Sequence, residues 1–122
     1  MGRKSERQSL VTLLQTNTTL QEVYDHEVKD FRRVSPVAMV HSDGKSRISR
    51  DGFGYAFLVS LWWKRSRDGG DTEDAMDDLS DDIYALLLSQ PNLLVDSDFS
   101  QLNYPVVDGV MYRREVIRVV VM

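Results

Sequence analysis

The stretch Phe53–Lys64, FGYAFLVSLWWK, constrains the fold more than any other part of the chain. Its residues are aromatic, β-branched or small over the length of one strand, which suits a pleated backbone. Alternation places Tyr55, Phe57, Val59, Leu61 and Trp63 on one face and Ala56, Leu58, Ser60, Trp62 and Lys64 on the other. Both faces are largely apolar. A sheet with helices on one side only would turn a polar face to water, so this strand predicts that its second face is also covered, by another layer or another subunit. The adjacent tryptophans cannot enter one core from a regular strand. Trp62 falls with Leu58 on the second face and is a candidate contact residue, because tryptophan favours interfaces. The alternative is that the N-terminal segment or residues 91–108 bury that face.

The flanking sequence supplies the other elements. Ser5 and Gln8 match the S-x-x-Q capping pattern, and Leu10, Val11, Leu13 and Leu14 follow at helical spacing, predicting a short first helix that Asn17 stops. Residues 22–25, EVYD, suit a brief strand or a turn. Pro36 forbids helix and opens the strand VAMVH. The polar stretch SDGKSRISRDG, 42–52, lies between two Asp-Gly pairs and reads as a mobile hairpin loop carrying Lys45, Arg47 and Arg50. Arg67-Asp68-Gly69-Gly70 breaks the apolar strand, and Asp71 or Thr72 can cap a second helix with the apolar stripe Met76, Leu79, Ile83, Leu86 and Leu87. Asp74, Asp77, Asp78, Asp81 and Asp82 take its other face, and Pro91 ends it.

Toward the end of the chain, LNYPVV can hold a short strand interrupted by Pro105, and Asp108-Gly109 signals a turn. VMYRREVIRVVVM is a last strand, with Ile117, Val119 and Val121 on one face and Arg114 and Arg118 on the opposite one. The order predicts a single α+β domain over residues 1–122: a mostly antiparallel sheet of about four strands with two helices packed on one face.

With 122 residues, 42% hydrophobic and 28% charged, the chain can bury a core without staples. The absence of cysteine excludes disulfides, thiol catalysis and thiolate metal sites. No apolar run is long enough for a bilayer and none follows the charges of MGRKSERQSL, so a soluble, unexported protein with no membrane partner is expected. The formal net charge of −4 hides a segregation. Residues 28–67 hold nine cations against three acids, whereas residues 68–108 hold eleven acids and no Lys or Arg. The chain is electrically bipolar.

Few residues suggest catalysis. His26 and His41 lie near acids in sequence but in no nucleophile-elbow or H-x-x-x-H context, so polar or capping roles are expected for them. Seven carboxylates between Asp71 and Asp82 follow a helical face rather than the alternate positions of a calcium loop. That face is either solvated or meets a partner. No phosphate-loop spacing occurs, and the acidic balance argues against a dedicated nucleic-acid binder.

The series RQSLVTLLQTN, VYDHE, SPVAMVHSDG, the apolar strand with its charged end, EDAMDDL and GVMYRREVIRVVV resembles the tail terminator and tail-completion proteins of long-tailed bacteriophages, over almost the whole chain. The resemblance implies a small α/β protein that assembles as a ring, commonly a hexamer, on the head-proximal end of the tail tube. Such a ring stops tube polymerisation and gives the head connector its joint. The implied partners are further copies of the chain, the tail tube protein, the head–tail connector protein and DNA passing through the channel without specific binding. The implied place is the tail or neck of the virion, after assembly in the host cytoplasm. No enzyme activity, cofactor or metal is implied, and no family residue carries over as a site.

A ring built by head-to-tail contacts needs two different complementary surfaces on each copy, and a basic middle segment with an acidic later one offers such a pair. The contact candidates are Leu58, Trp62, Lys64, Arg65, Arg67, Asp74, Asp77, Asp78, Asp81, Asp82, Arg114 and Arg118, with Lys45, Arg47 and Arg50 on the loop. The acidic helix would face either a neighbouring subunit or the channel, where it would repel DNA. Two alternatives stand beside this expectation: another neck component, such as a head-completion or connector protein, or a monomeric protein-binding module using its open sheet face.

Overall fold

The computed structural model of the chain describes residues 2–28, 36–49, 52–65, 69–96, 99 and 101–122, with backbone alone for 46–49 and 69–72. In chain order the elements are α1 (Arg3–Asn17), β1 (Glu22–Tyr24), β2 (Val37–Ser49), β3 (Gly52–Lys64), α2 (Gly69–Leu88), β4 (Leu93–Val95), β5 (Gln101–Asn103), β6 (Val106–Val107) and β7 (Val110–Val121). The fold is α+β, with two helices and a seven-stranded mixed sheet. The strand order is β1-β2-β3-β7-β4, and β5 and β6 also pair with β7. β1 joins β2 in parallel, while the other pairs among the described residues are antiparallel.

The expectation of about four strands understates the count. Four of the seven strands have only two or three residues, too few for an alternation signal. Three of them lie opposite β7 and tile its outer edge: β4 against Val119–Val121, β5 against Arg114–Val116 and β6 against Val110–Met111. β5 and β6 share one register and form a single hairpin arm with β7, interrupted at Tyr104-Pro105. Proline brings no N–H to the ladder, but its carbonyl still accepts from Tyr112 N at 2.9 Å. The turn closing this arm places Asp108 at φ 51° and Gly109 at φ 79°. Two consecutive left-handed residues are what a tight two-residue hairpin requires, and Asp-Gly tolerates them.

The first Asp-Gly pair behaves differently. The stretch expected as a loop over 42–52 is paired strand through Ser49, with β3 starting at Gly52. Gly44, at φ 84°, occupies a register shift between Ser42 and Lys45, and a second shift falls between Arg47 and Ser49. A left-handed glycine serves a bulge as well as a turn, so the Asp-Gly signal is satisfied without ending the strand.

Both helices close one face of the sheet. Leu10, Val11 and Leu14 of α1 and Met76, Leu79, Ile83 and Leu87 of α2 join Ala38, Val40, Phe57, Val59, Leu61, Ile117, Val119 and Val121 in the main core. Fully burying such a side chain stabilises the fold by about 1.5–3 kcal/mol. Trp63 packs against this core, whereas Trp62 belongs to a smaller cluster on the opposite face with Val37, Met39 and Tyr112. The adjacent tryptophans are thus divided between the two sides. The described residues of 91–108 extend the sheet beside β7 and bring Val107 to the second cluster.

The expected capping box is not formed. α1 starts at Arg3 behind Gly2 with no side-chain cap, and Gln8 Nε2 instead donates to Asp25 Oδ2 at 2.6 Å. Nor does Asn17 take a left-handed stop: Thr18, the C-cap, is extended at φ −132°. The Gln8 contact ties α1 to the residue after β1. A hydrogen bond with the His26 ring, then the one from Gln8, holds the Asp25 carboxyl below its ordinary value. A depressed folded pKa contributes stability above the unfolded carboxylate range and loses it as pH falls through the folded value. Gln8→Leu should therefore move the Asp25 midpoint upward in an NMR titration of its carboxyl carbon.

Phe53 and Phe57 lie on one strand but differ sharply in exposure, 67% against 0%. Phe57→Ala should cost about 3–5 kcal/mol in urea unfolding, and Phe53→Ala no more than about 0.5 kcal/mol. Equal losses would contradict this difference in burial.

Candidate functional site

No described helix is long and apolar enough to cross a membrane, and among the described residues no three His, Cys, Asp or Glu side chains gather as a metal site. His26 Nδ1 lies 2.6 Å from Asp25 Oδ1 and is largely exposed, and His41 Nε2 lies 3.6 Å from Glu27 Oε1. The surfaces that distinguish the molecule are three: a groove on the second sheet face, the acidic side of α2, and an apolar row along the β5–β6 arm.

The groove follows from alternation on the central strands. Register places Val37, Trp62 and Arg114 in one row and Met39, Ser60 and Val116 in the next. Trp62 is half-buried, edge-on to Tyr112 with ring centroids 5.9 Å apart, and the Arg114 guanidinium stands over it at 5.5 Å. Such a cation–π contact holds the arginine without neutralising it. Ser60, Trp62 and Arg114, with Glu27, Val28, Met39, Asn103 and Pro105, line an open concavity of about 230 Å³. Ser60 is 2% exposed, and its Oγ has no hydrogen-bond partner among the described residues. Leu58 is half-buried further along this face, beside His41 and Arg118. Arg118 is held by Asp43 at 2.9 Å and Asp96 at 3.0 Å, and hydrogen bonding to Asp43 leads the causes that raise its pKa.

On the helix side, the central ion cluster is one that alternation alone could have indicated. Extending the face of Ile117 backward along β7 gives Glu115 and then Arg113, opposite the start of α2. Arg113, its side chain 5% exposed, reaches Glu73 at 2.8 Å, Asp77 at 2.7 Å and Glu115 at 3.7 Å. Burial by itself works against its charge, but the hydrogen bond to Asp77 and the fields of the three carboxylates outweigh that, so its pKa is raised. Of the five aspartates expected on the outer face of α2, Asp77 is therefore engaged within the fold. Asp74, Asp78, Asp81 and Asp82 are exposed, on successive turns of one stripe, with no ion pair among the described residues.

Past Arg113 the same sheet face continues uncovered. Leu102 (48% exposed), Val106 (61%) and Met111 (44%) share it by register. Tyr104 joins them and donates its hydroxyl to Glu73 Oε2 at 3.1 Å. Arg65 borders the row, with its guanidinium 5.0 Å from the Tyr104 ring and Nη1 3.1 Å from Met111 Sδ. Leu102, Tyr104 and Val106 alternate at every second position, but Pro105 divides the strand that aligns them with Met111.

The remaining candidates are dispersed. Lys64 is exposed at the end of β3, and Lys45 Nζ lies 5.9 Å from the Tyr55 ring, which Arg3 also approaches at 5.3 Å. Arg47 pairs with Phe53 through its backbone. The Arg47 side chain, Arg50 and Arg67 lie outside the described residues.

Scanned against protein-family models and compared with curated proteins, the sequence gives no match to either.

Replacing Arg113 with Met would leave Glu73 and Glu115 partly buried without their cation. Urea unfolding should show a loss of about 2–3 kcal/mol, against about 1 kcal/mol or less for Arg114→Ala on the open face. Arg113→Lys should recover only part, because an ammonium cannot fork between separate carboxylates.

Proposed function

We propose that the chain is a structural virion protein: a ring of identical copies at the head-proximal end of a phage tail tube, ending tube growth and forming the joint to the head connector. The observation that carries this reading is the uncovered row Leu102, Tyr104, Val106 and Met111, each at least 43% exposed, on the side of the sheet that the helices otherwise bury. Scattered exposed apolar residues are ordinary on a monomer, but an aligned row next to a buried core is a surface to be desolvated by a partner. The acidic stripe of α2 and the Arg114 groove supply charge of opposite sign elsewhere on the same copy, which suits orientation-specific contact between copies. The likeness of the sequence to tail terminators supplies the place of assembly.

One observation favours a second reading. The groove beside Ser60 and Trp62 would suit a monomeric module that binds a peptide side chain on its sheet face. Solution mass separates the two, since a module stays monomeric while a ring component oligomerises, alone or on tubes.

Val106→Glu with Met111→Glu should leave the thermal unfolding midpoint within a few degrees of wild type, both positions being exposed. The variant should fail to form rings by sedimentation and fail to cap tail tubes by electron microscopy. Normal capping by this variant would remove the row from the interface.

A further inference from the structure

We infer that the groove of Ser60, Trp62, Asn103 and Arg114 receives a carboxylate from α2 of a second copy of this chain. The inference rests on the ring reading above and assigns one of its contacts. The chemistry of the walls selects the ligand. Arg114 presents a forked set of donors, Ser60 Oγ is a buried hydroxyl without a partner among the described residues, and Asn103 carries a side-chain amide. Arg114 stands over the Trp62 ring and makes no ion pair among the described residues, so its charge remains available. Glu27, also on the rim, has Oε1 3.6 Å from His41 Nε2.

A volume of about 230 Å³ is below the range of small-molecule pockets and fits a single side chain. A carboxylate there would accept from the guanidinium in two parallel bonds and could take up the serine hydroxyl. The molecule itself carries the complementary group in surplus: Asp74, Asp78, Asp81 and Asp82 form one exposed stripe that nothing described in the fold neutralises. Groove and stripe belong to different elements, so each copy can give one surface and receive the other, as a head-to-tail contact requires.

This arrangement permits a charge-swap test. Arg114→Glu, and separately Asp78→Arg with Asp81→Arg, should each weaken self-association by roughly a hundredfold in sedimentation velocity, through like-charge contact. Mixed in equal amounts the two variants should associate again, because the groove of the Arg114→Glu variant then meets an arginine-bearing helix and the native groove meets a native helix. A misfolded variant could not be rescued by mixing, and Arg114→Gln, which should weaken association without rescue, checks the charge dependence. Wild-type association by either variant, or no recovery on mixing two folded variants, would overturn this contact and leave the ring reading in place. A wild-type chain that stays monomeric at every concentration and on tube ends would overturn both.

Discussion

Strand β3 must be desolvated on both faces, and the two faces are closed by different means. Phe57, Val59 and Leu61 lie beneath two helices, the ordinary solution for a sheet in an α+β fold. The opposite face has no helix among the described residues. Tyr24 and Val28 reach it from one margin and Val107 and Val110 from the other, and Trp62 is sheltered by Tyr112 and Arg114. Long cationic side chains can cover apolar surface while keeping their charge hydrated. That is why Ser60, at 2% exposure, lies at the floor of a groove instead of in a second core.

The charge segregation serves the same geometry in two ways. Glu73 and Asp77, at the start of α2, close on Arg113 and fix the helix over β7. The outer aspartates have no such role. Asp74 with Asp78, and Asp78 with Asp82, stand four residues apart, where like charges destabilise a helix by a few tenths of a kcal/mol per pair. An isolated domain would gain by dispersing them. Their concentration on one stripe is therefore a cost to the monomer that contact with a cationic surface would offset.

Much of this is legible in the residues. The apolar period of α2 and the alternation of β3 and β7 place the main core, because each is long enough for its pattern to repeat. The division of Trp62 from Trp63 follows from alternation alone. What escapes is short or non-local. β4 is held by the edge of β7 rather than by propensity, so no local pattern announces it, whereas LNYPVV with its interrupting Pro105 marks β5 and β6. The capping box fails because a tertiary partner, Asp25, claims Gln8. Arg113 is missed in favour of Arg114 when strand parity is carried forward from the apolar end of β7 but not back to the charged one. The apolar row becomes visible only when one register is seen to run across Pro105.

The edges of the sheet limit how copies can meet. The outer side of β7 is tiled by three short strands, and β2, beyond its pairing with β1 at Val37–Met39, is shifted twice in register. Short and bulged edges resist flat, open-ended strand addition. Association between copies would then run through side chains, and the β5–β6 arm presents them in two directions. Leu102 and Val106 point to the helix side while Asn103 and Pro105 line the groove behind. A self-complementary dimer needs one such face. Two unlike faces, back to back on one arm, are what a head-to-tail array asks of each copy, and whether that array closes depends on the angle between them.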